Sequence, residues 1–205
     1  MLLLSLLLVI LLHPMLDHGD LRRFILTALT FVPVILATIR LSQMKRLVWP
    51  SALMMAVTLI SGSVAALIPN QVLLIVKWGS LAAFFALTVA GLFTYLRRAR
   101  SIAQSHLYTA VSVYLLLGML WFALYSLIDT AYPGSFQHGS VPADRQSELL
   151  YFSLVTLATV GYGDIVPLHG EARMLAALEG VVGVLYVAIT VAILVSAFRR
   201  QDTQG

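Results

Sequence analysis

Along the 205 residues, long apolar stretches alternate with short polar intervals. Six stretches stand out, at residues 1–16, 24–39, 47–68, 72–96, 107–128 and 174–198. A helix needs about 20 mostly apolar residues to cross the hydrocarbon core of a bilayer, and the last four stretches meet that length. The first, MLLLSLLLVILL, reaches Leu16 only if His13 and Pro14 are tolerated. It has the length of a signal-peptide core but lacks a basic leader and a small-residue cleavage site, so it is taken as a retained first span, with a signal segment or an interfacial helix as the alternatives. Pro33 would kink the second span, and Pro50 is expected in the first turn of the third, where a missing amide costs little. A loop over 131–146 holds the turn residues Pro133, Gly134, Gly139 and Pro142. After it, residues 145–158 form an apolar segment of about four turns, too short to span, and Asp144 or Ser147 is placed to cap it. Were it to dip into the membrane and return, protein or water would have to cover its backbone. The fold class expected is an all-α membrane protein of about six transmembrane helices, with a re-entrant helix between the last two.

Composition narrows the picture. With 60% hydrophobic residues, 11% charged residues and a mean hydropathy of +0.93, an ordinary soluble domain is excluded. The net charge of +4 would suit a nucleic-acid partner if the basic residues formed a patch. They sit instead at the ends of apolar segments, which is a topology signal, and no nucleic-acid binding is expected. With the amino terminus inside, the inner side holds eight basic residues, namely Arg40, Lys45, Arg46, Arg97, Arg98, Arg100, Arg199 and Arg200. The outer side holds four: Arg22, Arg23, Arg145 and Arg173. That bias places both termini in the cytoplasm and the loop after residue 128 outside. The absence of cysteine removes disulfide, thiolate and zinc-ribbon chemistry.

The chemistry concentrates in Tyr151–Asp164, YFSLVTLATVGYGD. In an ordinary strand successive carbonyls point in alternating directions. For all of them to face one axis, some residues must take backbone angles that only glycine reaches without strain. In Thr159-Val160-Gly161-Tyr162-Gly163, glycines alternate with larger residues, so carbonyls can turn one way while side chains anchor the other. The stretch resembles the pore loop of the potassium-channel superfamily: the aromatic pair Tyr151 and Phe152, a short helix, the filter, the acidic Asp164, then Pro167, Arg173 and the glycines of the next helix. The resemblance covers 107–198. It implies a tetrameric pore in which Thr159, Val160, Gly161, Tyr162 and Gly163 replace the hydration shell of potassium with rings of oxygens. The overall plan resembles small prokaryotic six-span channels in a cell membrane. Ala158 departs from the second threonine that many relatives carry.

From this follow the remaining expectations. Residues 1–105 form an N-terminal membrane domain of four segments, and 106–198 a pore domain with outer helix 107–128, pore helix 145–158, filter 159–163 and inner helix 174–198. Residues 199–205 are a short cytoplasmic tail. The carboxyl end of the pore helix would favour a waiting cation. Tyr151 and Phe152 are expected to pack on Tyr162 and support the filter, and the resemblance puts Asp164 directly behind its mouth. Glu179, a carboxylate inside an apolar span, costs about 2–3 kcal/mol or more unless partnered or protonated. It either supports the filter from the neighbouring helix or bonds a tyrosine or threonine between helices. Gly180 and Gly183 allow close packing, and Gly183 matches the inner-helix hinge of relatives. Val184, Val187, Val191 and Val195 recur at helical spacing and would line or seal the cavity by dewetting. Five of the nine acids, Asp129, Asp144, Glu148, Asp164 and Glu171, fall in the outer loop and would attract cations there. The fourth segment carries Lys77 alone, too little charge for steep voltage sensing. Arg97, Arg98 and Arg100 precede the pore domain, a topology signal with anionic-lipid binding as the sharper alternative. Ser61-Gly62-Ser63 is the one tempting nucleophile, but His13, His18, His106, His138 and His169 all lie at segment ends or in loops, so no enzyme activity is expected. The function expected is passive, potassium-selective transport with no cofactor, in a homotetramer among membrane lipids; a weakly selective cation channel is the alternative.

Overall fold

The computed structural model describes residues 2–12, 45–98, 104–137 and 144–202. The expected second span at 24–39, with Pro33, lies outside the described residues, as do residues 199–205 in part. Six helices and two very short strands follow one another: α1 (Leu2–Leu12), α2 (Lys45–Leu67), α3 (Gln71–Arg98), α4 (Gln104–Ala131), β1 (Phe136–Gln137), α5 (Arg145–Leu157), β2 (Val166–Pro167) and α6 (Gly170–Asp202). Among the described residues four helices, α2, α3, α4 and α6, are long and apolar enough to cross a membrane, and the chain is a multi-pass membrane protein. The first expected span is different. As described, α1 is an 11-residue helix, about 16 Å long at 1.5 Å per residue, which is half the hydrocarbon thickness. It buries Leu2, Leu6 and Val9 in the core shared with α4.

The helix ends follow from local chemistry. Ile68 precedes Pro69, which disfavours helical angles and closes α2. Asn70 then caps α3, its side-chain oxygen accepting the Val72 amide at 2.8 Å. Pro50 falls in the second turn of α2, not the first, because the helix begins at Lys45. Helix α4 runs three residues past the expected 128, so Asp129 lies in a helix and not in a solvated loop. It ends at Tyr132-Pro133-Gly134, where Gly134 takes a left-handed φ of +86°. Helix α6 starts at Gly170 and continues to Asp202, so the described part of the expected tail, 199–202, prolongs the helix. Asp144 occupies the N-cap position of α5 in extended backbone but makes no side-chain cap bond. Pairing of β1 with β2 is antiparallel, Phe136 facing Pro167 and Gln137 facing Val166. No strand was expected in an all-α chain; two residues a side carry no readable alternation.

Packing joins these elements along two seams. Helices α3 and α4 run antiparallel and touch at both ends and the middle. Gln71 donates to the Thr130 carbonyl at 2.8 Å, Trp78 meets Phe122 edge-on at 5.5 Å, and Tyr95 stacks on His106 at 5.4 Å. Each advance along α3 is matched by a retreat along α4, so the register is fixed throughout. In the second seam α5 lies between α4 and α6, at two glycines. A Cβ on Gly118 would stand 2.8 Å from the end of the Leu154 side chain, and one on Gly183 only 2.1 Å from the Leu157 carbonyl oxygen. Side chains can rotate away and backbone cannot, so the two sites should respond differently. Gly183→Ala is expected to destabilise the fold by about 1–3 kcal/mol or more, and Gly118→Ala by less than about 1 kcal/mol. Thermal unfolding of both variants in detergent measures this; the opposite ranking would refute the packing described.

Candidate functional site

The site begins where α5 ends. A helix leaves its last four carbonyls without intrahelical partners, and here each is satisfied. Leu154 accepts the Ala158 amide at 3.0 Å, Thr156 the Thr159 amide at 2.9 Å, and Val155 the Val160 amide at 2.9 Å. Leu157 accepts the Tyr114 hydroxyl at 3.1 Å, from α4. The chain then enters the Thr159–Gly163 stretch with φ of +56° at Thr159, +56° at Gly161 and +80° at Gly163. Left-handed residues thus alternate with Val160 and Tyr162, the backbone condition for turning successive carbonyls to one side. Sequence reasoning placed Thr159 in the stretch but expected the left-handed angles at the glycines; Thr159 is, among the described residues, the one non-glycine with positive φ. A β-branched residue is among the least expected there, and the left-handed backbone costs it about 1–2 kcal/mol. A Cβ added to Gly161 or Gly163 would meet nothing within 4 Å. What those positions require is the dihedral, not the space.

The expected support residues divide into two groups. The Tyr151 ring stacks parallel on Tyr162, with centroids 6.3 Å apart and planes at 1°, and Asp164 lies close enough to Tyr151 to act on its hydroxyl. Phe152 turns the other way. It packs edge-on against Tyr125 at 5.1 Å and Phe136 at 5.5 Å, and those two rings also meet at 5.4 Å. This trio joins α4, α5 and β1. Beyond the Thr159–Gly163 stretch the chain is held from the same side, where the Ser135 carbonyl accepts the Leu168 amide at 2.8 Å. Within one chain Val160 is 53% exposed and Tyr162 71%, and all five residues of the stretch lie open.

Glu179 sits at the centre of the second seam, with no exposed surface. The Tyr125 hydroxyl of α4 donates to one carboxyl oxygen. The Ser153 hydroxyl of α5 lies 2.7 Å from the other and 2.8 Å from the Gly118 carbonyl of α4. A hydroxyl has one hydrogen, so Ser153 serves one of these acceptors at a time. The partners are a tyrosine and a serine, one of them on the short helix itself.

Elsewhere the expected residues are placed as follows. Gly183 is flush against α5, whereas a Cβ on Gly180 would meet nothing within 4 Å. Val184, Val187, Val191 and Val195 are about half exposed along α6. Asp129 is buried and bonded by the Arg145 guanidinium, which raises the Arg145 pKa further above its ordinary value, so this acid is neutralised and not free to attract cations. His169 stacks on Tyr132 at 5.0 Å and bonds Glu171 at 2.5 Å. The Lys77 ammonium rests 4.4 Å over the Trp78 ring, its stem along Gly62 of α2. Thr58 and Ser80 bond each other at 2.7 Å beside it. The side chains of Arg97, Arg98 and Arg100 lie outside the described residues. Among the described residues no group of three or more His, Cys, Asp or Glu could hold a metal ion.

Comparison with known proteins points at this half of the chain. The chain is 32% identical over 91 residues to two pore potassium channel c of Oryza sativa subsp. japonica, covering 44% of the chain and 18% of that protein. It is 31% identical over 85 residues to an inward rectifier potassium channel of Paramagnetospirillum magnetotacticum, covering 42% and 25%. To a putative potassium channel protein of Rhodopseudomonas palustris it is 37% identical over 60 residues, covering 29% and 13%. The matched part thus spans a quarter or less of these relatives' own length. No solved structure gives a significant match. Residues 101–200, which hold α4, α5, the Thr159–Gly163 stretch and α6, match the ion channel family.

Proposed function

We propose that this chain forms a potassium-selective channel, a homotetrameric pore that passes potassium down its gradient through the backbone oxygens of Thr159, Val160, Gly161, Tyr162 and Gly163. The observation that carries this reading is the alternation of left-handed backbone at Thr159, Gly161 and Gly163. Four copies of such a strand around an axis make rings of oxygen that exchange with the hydration shell of the ion. The matches to the ion channel family and to potassium channels support it. The exposure of Val160, Tyr162 and the α6 valines in one chain suits further copies packing there. Tyr151, Phe152, Asp164 and Glu179 then support the filter, and Val187, Val191 and Val195 line the inner cavity, with Gly183 seated on the pore helix. Residues 1–105 carry no voltage sensor, both termini face the cytoplasm in a six-span plan of prokaryotic type, the membrane is the cell membrane, and no catalytic chemistry or cofactor is involved.

Purified protein in potassium-loaded liposomes diluted into sodium tests the reading. Potassium efflux without matching sodium flux is expected, and Gly161→Ala should abolish it, because alanine resists the left-handed angle. Equal potassium and sodium flux would replace this reading by the weakly selective channel. Because the apolar span of α3, Gln71–Leu96, carries Lys77 as its only charge and is pinned along α4, the conductance should change little with voltage. A steep conductance–voltage curve in planar bilayers would overturn that. Removing the Glu179 carboxyl strands the Tyr125 hydroxyl, a loss of about 1–3 kcal/mol. Glu179→Leu is therefore expected to speed the decline of potassium current several-fold, and Glu179→Gln, which keeps a polar group there, to do so less. Wild-type time courses in both would remove Glu179 from the filter's support.

A further inference from the structure

We propose that the Tyr114 hydroxyl is a positioning group for the filter, acting through the Leu157 carbonyl, and that it sets how sharply the pore distinguishes potassium from sodium. The proposal rests on the channel reading above. Of the four terminal carbonyls of α5, three take amides from the residues that follow, Ala158, Thr159 and Val160. By Gly161 the backbone is already left-handed and committed to the filter. Leu157 is the carbonyl left over, and Tyr114 reaches it from α4, 43 positions earlier in the chain, at 3.1 Å.

The same oxygen is confined from the other side. A Cβ on Gly183 would stand 2.1 Å from it, so α6 blocks rotation in that direction while the phenol holds it from α4. Two residues further on lies Thr159, strained at φ +56°. The Leu157 carbonyl defines the peptide plane leading into Ala158, and that plane defines the entry to Thr159. With the phenol gone, that plane is held by the Ala158 amide on Leu154 alone; it tilts further, and Thr159 relaxes toward an ordinary φ, which moves the innermost oxygens of the filter. Tyr114 is itself held in place. Its ring lies against Tyr186 at 5.7 Å and 35°, and the Tyr186 hydroxyl donates to the Ala110 carbonyl, one turn before Tyr114, at 2.6 Å. The pair offers an internal control. Each tyrosine gives one hydroxyl to one carbonyl, but only the Tyr114 bond ends at the filter.

The test is the reversal potential of the full-length channel in planar bilayers with potassium on one side and sodium on the other. Tyr114→Phe keeps the ring and loses the donor; the potassium-to-sodium permeability ratio is expected to fall about fivefold, the scale of one hydrogen bond, with potassium conductance retained. Tyr186→Phe should leave the ratio at the wild-type value. An unchanged ratio in Tyr114→Phe overturns the proposal, and so does an equal fall in both variants, which would mark both hydroxyls as general packing bonds. If Tyr114→Phe does not assemble, Tyr114→His, whose ring N–H reaches less far, should lower the ratio in the same direction, and a wild-type ratio there overturns the proposal as well. Wild-type protein that itself fails to prefer potassium would overturn the channel reading, a result separate from a selective wild type with a selective Tyr114→Phe.

Discussion

A carboxyl group with no exposed surface has to be hydrogen-bonded, and at Glu179 that requirement fixes how three helices meet. In an apolar setting the cost of leaving it unpartnered is several kcal/mol, so its place dictates where donors must stand. Tyr125 supplies one from α4 and Ser153 another from α5. With both in place the short helix can take only one height and one rotation between its neighbours. The bare Cα atoms of Gly118 and Gly183 then let backbone come close where any side chain would intervene. Everything downstream inherits that placement. The aromatic trio of Tyr125, Phe136 and Phe152 closes the outer end, and the four satisfied carbonyls close the inner one.

The outer surface is tied down by smaller means. Two paired residues on each of β1 and β2, the Ser135 carbonyl and the Tyr132–His169 stack hold the segment after Gly163 to the end of α4. Strands this short gain little by themselves. They matter because Phe136 in β1 and Ile165 just before β2 are buried and bring the segment into the core. Asp129 and Arg145 likewise bind the end of α4 to the start of α5. Both ends of the loop between them are therefore anchored by a specific interaction.

Much of this was legible in the sequence. The long apolar runs announced α2, α3, α4 and α6, and the glycine alternation marked two of the left-handed positions in the Thr159–Gly163 stretch. That Glu179 needed a partner followed from its charge in an apolar run. The partners did not follow, because Tyr125 and Ser153 are 54 and 26 positions away and each looks like ordinary helix content. The positive φ of Thr159 was invisible for a different reason. Its left-handed backbone is imposed by the packing of α5, against its own preference. Asp129 was misplaced because the polar turn after α4 looked like the helix boundary, while the helix in fact extends to reach Arg145. Tyr114 had no local mark at all, since its role exists only once the end of α5 arrives beside it.

The fixed register of α3 on α4 bears on how the protein sits in a bilayer. Each helix offers 26 residues of apolar span, about 39 Å at 1.5 Å per residue, against a hydrocarbon thickness of about 30 Å. Helices that exceed the bilayer accommodate it by tilting. Because Gln71, Trp78 and Tyr95 grip α4 at both ends and the middle, neither helix can tilt alone. Membrane thickness acts on them as one rigid plank. A thicker bilayer stands that plank upright and a thinner one leans it over, carrying with it the face of α4 on which the short helix is hung.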